Sequence, residues 1–120
     1  MNIETFREFC LSFPGTSEDM PFDNKTLVFK VMGKMFALTD IDEFESINLK
    51  CDPEVAVELR EKFSNTVFPG YHMNKKHWNT VVPNAELNDQ KMQHWIRHSY
   101  DLVVSKLPKK LKEELKSLEN

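Results

Sequence analysis

Between Ser64 and Ala85 the chain carries two lysines, two histidines, a tyrosine and a tryptophan, and not one acidic residue. Most of this chemistry falls in Pro69–Val82, PGYHMNKKHWNTVV, where Tyr71, His72, His77 and Trp78 surround Lys75 and Lys76. Ammonium groups with no opposing carboxylate, set beside aromatic faces, suit a polyanion or a stacked base. Lys75 and Lys76, flanked by His72 and His77, are therefore the leading anion-binding candidates, with Tyr71 as a stacking ring. The plainer reading is that Tyr71 and Trp78 are core or edge aromatics and the lysines are simply solvated. A second pair, Lys30 and Lys34, lies either side of Gly33. Two such hairpins would straddle a phosphate backbone, although a lysine at a sheet edge also serves to discourage aggregation.

Other constellations point to less. His94, His98 and Asp101 fall at i, i+4 and i+7 of a helical stretch, a spacing that suits a divalent metal. Lys91 and Arg97 share that face and disfavour a cation, so no metal is expected. Asp40, Asp42, Glu43 and Glu45 lack the glycine and terminal glutamate of a calcium loop. Cys10 and Cys51 lie on apolar phases of their elements and read as buried small hydrophobes, not as a disulfide or metal knuckle. Lys106, Lys109, Lys110, Lys112 and Lys116 read mostly as solvated surface. No phosphate loop, nucleophile elbow, zinc signature or paired carboxylates are present, so neither catalysis nor a cofactor is expected.

These groups need a scaffold, and 120 residues suffice for one domain spanning 1–120. Apolar content of 40% and charged content of 29% are ordinary for a globular chain. No apolar run approaches the length that crosses a bilayer. Glu4 and Glu8 stand where a secretory leader needs a cationic and then an apolar region, so a cytoplasmic location is expected. Net charge is −3, which argues mildly against a dedicated nucleic-acid binder. Its distribution is uneven. Residues 1–61 hold 13 acids and 6 bases, whereas residues 62–120 hold 6 acids, 10 bases and all four histidines.

Ile3, Phe6, Phe9, Cys10 and Phe13 recur at helical spacing, capped by Asn2 and stopped by Pro14-Gly15. Thr26–Met32 and Met35–Thr39 alternate around a turn, with Gly33-Lys34 expected at its centre. Ser46–Cys51 alternates again, completing a three-stranded antiparallel meander with one wet face. Asp52-Pro53-Glu54 starts a helix whose stripe is Val55, Leu59 and Phe63. Short strands are expected around Thr66–Phe68 and His77–Val82. A long helix follows Asn88 with Met92, Trp95, Ile96, Ser99, Leu102, Val103 and Leu107 inward, and a short charged helix, Lys109–Leu118, ends the chain. Strands grouped in meanders imply an α+β two-layer sandwich, an antiparallel sheet with helices on one face, in the order α-β(3)-α-β(2)-α. Phe29, Phe36, Leu49 and Trp78 are expected in one core beneath Phe6, Phe9, Trp95 and Val103.

The string Pro69–Val81 and the string Ser99-Tyr100-Asp101-Leu102-Val103-Val104, with Lys106-Leu107-Pro108, resemble the MmcQ/YjbR-like family of small bacterial proteins. Phe13-Pro14-Gly15, Lys34–Leu38 and Asn48–Cys51 extend the likeness over nearly the whole chain. The resemblance implies a fold similar to frataxin-type and secretion-chaperone-type domains, and DNA binding through two β-hairpin wings. The resulting expectation is a non-enzymatic module that binds DNA weakly through its phosphates. The alternative is a protein-interaction adaptor that uses an exposed sheet face and the Trp78 region to engage an unidentified partner. Neither involves a membrane.

Overall fold

The computed structural model describes residues 1–71 and 73–119. Helix α1 (Ile3–Leu11) leads into β1 (Thr16–Asp19), β2 (Thr26–Val31), β3 (Lys34–Asp40) and β4 (Ile47–Lys50). Then follow α2 (Pro53–Lys62), β5 (Val67–Pro69), β6 (Trp78–Val81), α3 (Asp89–Ser105) and α4 (Lys109–Leu118). The sheet has six strands in the order β1-β2-β3-β4-β6-β5, every pair antiparallel. The α+β architecture is the one expected, with an additional strand.

That strand is β1. Its sequence, TSED, has no apolar residue to alternate, so hydrophobic period cannot reveal it. Pairing makes it a strand: Thr16 lies opposite Val31 and Asp19 opposite Val28. Its carboxylates are held by neighbours, Glu18 by the Arg7 guanidinium of α1 and Asp19 by Lys30 Nζ at 3.3 Å. A short, charged strand is a suitable sheet edge because it offers little to an incoming chain.

The local chemistry at element ends follows the sequence closely. Asn2 and Thr5 form a reciprocal capping box, Asn2 Oδ1 accepting from the Thr5 amide at 2.9 Å. Asp52 caps α2 ahead of Pro53, and Asn88 caps α3 by accepting from the Lys91 amide at 2.9 Å. The β2–β3 turn differs by one residue from expectation. Its central residues are Met32 (φ 49°) and Gly33 (φ 83°), and Lys34 already pairs with Val31. Two successive positive φ values define the primed turn that matches strand twist, and glycine at the second position reduces its strain.

A bulge lies beyond that turn, since Phe29 pairs with Ala37 but Lys30 pairs with Met35. Phe36 is the extra residue, and its carbonyl accepts from the buried Ser99 hydroxyl at 2.5 Å. The same Ser99 oxygen accepts from the Lys50 amide at 2.8 Å. One serine of α3 thereby satisfies backbone groups of both β3 and β4.

The main core lies between the helices and one sheet face, with Phe6, Phe29, Phe36, Ile47, Met92 and Ile96 fully buried or nearly so. Tyr100 joins it, packing on Phe13 and Phe36 while its hydroxyl donates to the Pro14 carbonyl at 2.7 Å. Phe9 and Trp95 are half-buried against this cluster. Trp78 is not in it, contrary to expectation. Register sets Trp78 opposite Lys50, whereas the inward Leu49 faces Asn79. Trp78 therefore joins Val28 and Leu38 in a second cluster on the outward sheet face, with Met35 and Met73 beside it. In α4, Leu115 is buried and Leu111 partly so, but Leu118 is 60% exposed and does not dock. Among the described residues no helix is long and apolar enough to cross a membrane.

Candidate functional site

Strand pairing determines where the lysines meet. The β2–β3 turn follows Val31, the end of β4 lies opposite the start of β6, and Ala37 of β3 faces Leu49 of β4. The β2–β3 turn and the β5–β6 connection therefore emerge from the same end of the sheet. Lys34 and Lys50 stand at the strand termini there, and Lys75 and Lys76 lie in the connection itself. Lys106 arrives from the C-terminus of α3, and its charge adds to burial in lowering the Lys50 pKa. Among the described residues no acidic side chain is ion-paired with any of these five lysines.

The β5–β6 connection is held by its own polar groups. Asn74 Oδ1 accepts from the Lys76 amide at 2.9 Å, and the Asn74 carbonyl accepts from the Trp78 amide at 3.0 Å. The Lys75 ammonium folds back to donate to the Gly70 carbonyl at 3.2 Å, whereas the exposed Lys76 projects outward. Gly70 is required by proximity: a Cβ there would lie 2.8 Å from Trp78 Cβ and 2.9 Å from Trp78 O. The Tyr71 amide donates to Thr80 Oγ1 at 3.0 Å, and its ring is 69% exposed. His77 is half-buried, and its carbonyl accepts from the Cys51 amide at 2.8 Å. His72 lies outside the described residues.

Arg60 of α2 is a residue that no local pattern in the sequence selects. Its Nε donates to Asn79 Oδ1 at 2.7 Å, and its Nη2 donates to the carbonyls of Lys75 and Trp78. Asn79, buried within β6, completes the tie by donating to the Ala56 carbonyl at 3.5 Å. A guanidinium fork thus fixes the lysine-bearing loop to α2. The first hairpin is used differently. Lys34 is exposed at the tip, but Lys30 is half-buried and paired with Asp19. Lys30 and Lys34 therefore do not act as one cationic pair.

Between the two hairpins is a cavity of about 270 Å³. Lys34, Lys50 and Lys106 line it together with Met35, Trp78, Val103 and Leu107. The Lys50 pKa is pushed down by burial first and by the Lys106 charge second. Sequence reasoning passed over Lys50 and read Lys106 as solvated surface, because the two meet only through the docking of α3 on β4.

A second concavity, about 340 Å³, lies between α2 and α3. Val55, Leu59, Phe63, Leu87 and Trp95 form its apolar floor, and Glu58, Lys62, Lys91 and His94 its rim. Both of these lysines sit over the Phe63 ring, at 5.5 and 6.0 Å. On the same side of α3 the metal-like triad is dispersed among other partners. Asp101 pairs with Arg97 at 3.1 Å, and His98 Nε2 accepts from the Asp52 amide at 3.3 Å. Burial, then the His94 charge, lowers the His98 pKa. Cys10 and Cys51 are buried free thiols, and burial pushes Cys51 up to about 11 and Cys10 higher still. Neither is poised as a thiolate nucleophile at neutral pH.

The family model described as YjbR matches residues 11–102. The chain belongs to the YjbR family. Its relatives include the uncharacterized protein YbdF of Escherichia coli O157:H7, 37% identical over 108 residues, covering 89% of this chain and 88% of that one. The uncharacterized protein YjbR of Escherichia coli strain K12 is 31% identical over 119 residues, covering 98% and 100%. Among solved structures, Deinococcus radiodurans protein DR2400 superposes with a TM-score of 0.88 at 40% identity, over 96% of this chain and 88% of that one. A Pseudomonas syringae protein superposes with a TM-score of 0.70 at 30% identity, over 85% and 98%. Several residues in the strings that resemble the YjbR family hold the fold: Asn79 anchors Arg60, Ser99 bridges β3 and β4, and Tyr100 ties α3 to Pro14.

Proposed function

We propose that this YjbR-family protein is a non-enzymatic, cytoplasmic module that binds DNA through its phosphate backbone, using the end of the sheet where the two hairpins emerge. The observation that carries this reading is the convergence of Lys34, Lys50, Lys75, Lys76 and Lys106 at that end with no ion-paired acid among the described residues. Gathering five like charges is unfavourable for the free protein, and phosphates relieve it. The overall charge of −3 does not oppose this, because contact depends on the local field. Tyr71, in the same connection as the loop lysines, supplies an exposed ring for an unpaired base, and the half-buried His77 belongs to the same loop.

Affinity in the non-specific range, Kd of roughly 10⁻⁴ to 10⁻⁶ M, is expected. Log affinity should fall with log salt at a slope of about −2 to −4, because few cations converge. Lys75→Ala with Lys76→Ala should flatten that slope by nearly 2 and weaken all sequences alike. Fluorescence anisotropy with duplex DNA across a salt series measures it; salt-indifferent binding, or a double variant that binds as wild type does, refutes the reading. The adaptor reading draws on Phe68 and Tyr71, exposed on and just beyond edge strand β5. An apolar partner held there would be nearly indifferent to salt, so the same titration separates the two.

A further inference from the structure

The cavity between the hairpins has a composition that selects among anions. Lys34 reaches it from the start of β3, Lys50 from the end of β4 and Lys106 from the end of α3. Its remaining walls are Met35, Trp78, Val103 and Leu107, so among the described residues no carboxylate, amide or hydroxyl side chain lines it to compete for the three ammonium groups. The C-terminus of α3 contributes an opposing field, but only about half a charge. Its carbonyls are also partly occupied, those of Val103 and Val104 accepting from the Lys106 and Leu107 amides at 3.1 Å. Three full charges outweigh it.

We infer that this cavity binds the terminal phosphate monoester of a nucleotide, at the 5′ end of a DNA strand, with its first base against the apolar walls. The inference rests on the DNA-binding reading for its context and adds a ligand class and a site to it. An internal phosphodiester carries one negative charge, whereas a monoester carries about 1.5 to 2 at neutral pH. Facing the same three lysines, the monoester gains up to about twice the Coulomb energy. Size argues in the same direction. About 270 Å³ lies near the lower end of small-molecule sites, enough for one phosphate and an adjoining ring. The depressed pKa of Lys50 fits an ammonium that is crowded and partly desolvated until an anion arrives.

The site is also preorganised. Met35 and Trp78 are packed in the outward cluster, and the Lys50 backbone is fixed by Ser99. Leu107 and Val103 are buried against the main core. Only the lysine side chains need to order when the phosphate enters.

The test compares three probes by isothermal titration: a short oligothymidylate with a 5′-phosphate, the same strand with a 5′-hydroxyl, and thymidine 5′-monophosphate. At about 50 mM salt the 5′-phosphate should tighten strand binding by about tenfold. Lys106→Gln, and independently Lys50→Met, should cut that preference below about threefold. Circular dichroism melting ensures that each variant is folded. Lys75→Ala with Lys76→Ala should weaken both strands and leave the ratio between them intact. A wild-type ratio near one overturns the inference and leaves backbone binding standing. Mononucleotide binding that depends on Lys106, with neither strand preferred to it, upholds the monoester site and removes the backbone reading. Binding of none of the probes overturns both.

Discussion

Two concavities of similar size among the described residues differ in how their charges are partnered. In the α2–α3 groove, Glu58 stands among Lys62, Lys91 and His94, and the two lysines lie over the Phe63 ring. Those two cations have an aromatic face as a partner and one carboxylate on the same rim. In the cavity at the sheet end, three lysines share apolar walls, and burial, then the Lys106 charge, lowers the Lys50 pKa. The cations of the larger concavity are thus the better partnered ones. What distinguishes the sheet end is charge without compensation, an arrangement that costs stability unless an external anion is bound.

Each concavity has a tryptophan, and removing them contrasts the two regions most strongly. Trp78 is 8% exposed and forms the centre of the small outward cluster with Val28 and Leu38. Trp78→Ala should cost about 3–5 kcal/mol. Trp95 is half-buried, packed on its helix between the His94 and His98 rings, so Trp95→Ala should cost about half as much. Urea denaturation measures both. Equal costs would mean that the outward face is as heavily packed as the helix groove, which contradicts the division drawn between them.

A smaller effect separates the regions by pH. Burial, followed by the His94 charge, holds the folded-state pKa of His98 below its ordinary 6.5, and Asp52 and Asp101 offset this only in part. The unfolded chain therefore takes up a proton first as pH falls. Stability from this group is fully present above about pH 6.5 and is lost as pH descends through the folded-state value. Protonation would also remove the lone pair that accepts from the Asp52 amide. Melting of wild type against His98→Gln from pH 7.5 to 5 should show the wild type losing stability more steeply. A parallel pair of curves would show that the imidazole titrates freely.

The contrast between these regions also explains what could be read from residues alone. Strands β2, β3 and β4 were legible because Phe29, Phe36 and Leu49 alternate with less apolar neighbours. Caps were legible because Asn2, Asp52 and Asn88 precede helical runs. β1 was not, since TSED becomes a strand only by pairing with β2. Trp78 was assigned to its correct strand, but the choice of face depended on its register with Lys50, which no local pattern encodes. The candidate site divided in the same way. The Lys75-Lys76 pair is visible as a run of unopposed charge, while Lys50 and Lys106 lie 56 positions apart and meet through tertiary packing. Arg60 resembled any basic residue in the last turn of a helix, yet it fastens the loop.

The proposed binding surface is the set of unopposed lysines at the sheet end, and not the α2–α3 groove. Amide chemical-shift mapping during titration with duplex DNA, at about 50 mM and about 200 mM salt, tests it directly. The account predicts shifts concentrated at Lys34, Lys50, Lys75, Lys76 and Lys106 at low salt, largely lost at high salt. Shifts confined to Val55, Phe63 and Trp95, or a pattern unchanged by salt, would contradict it.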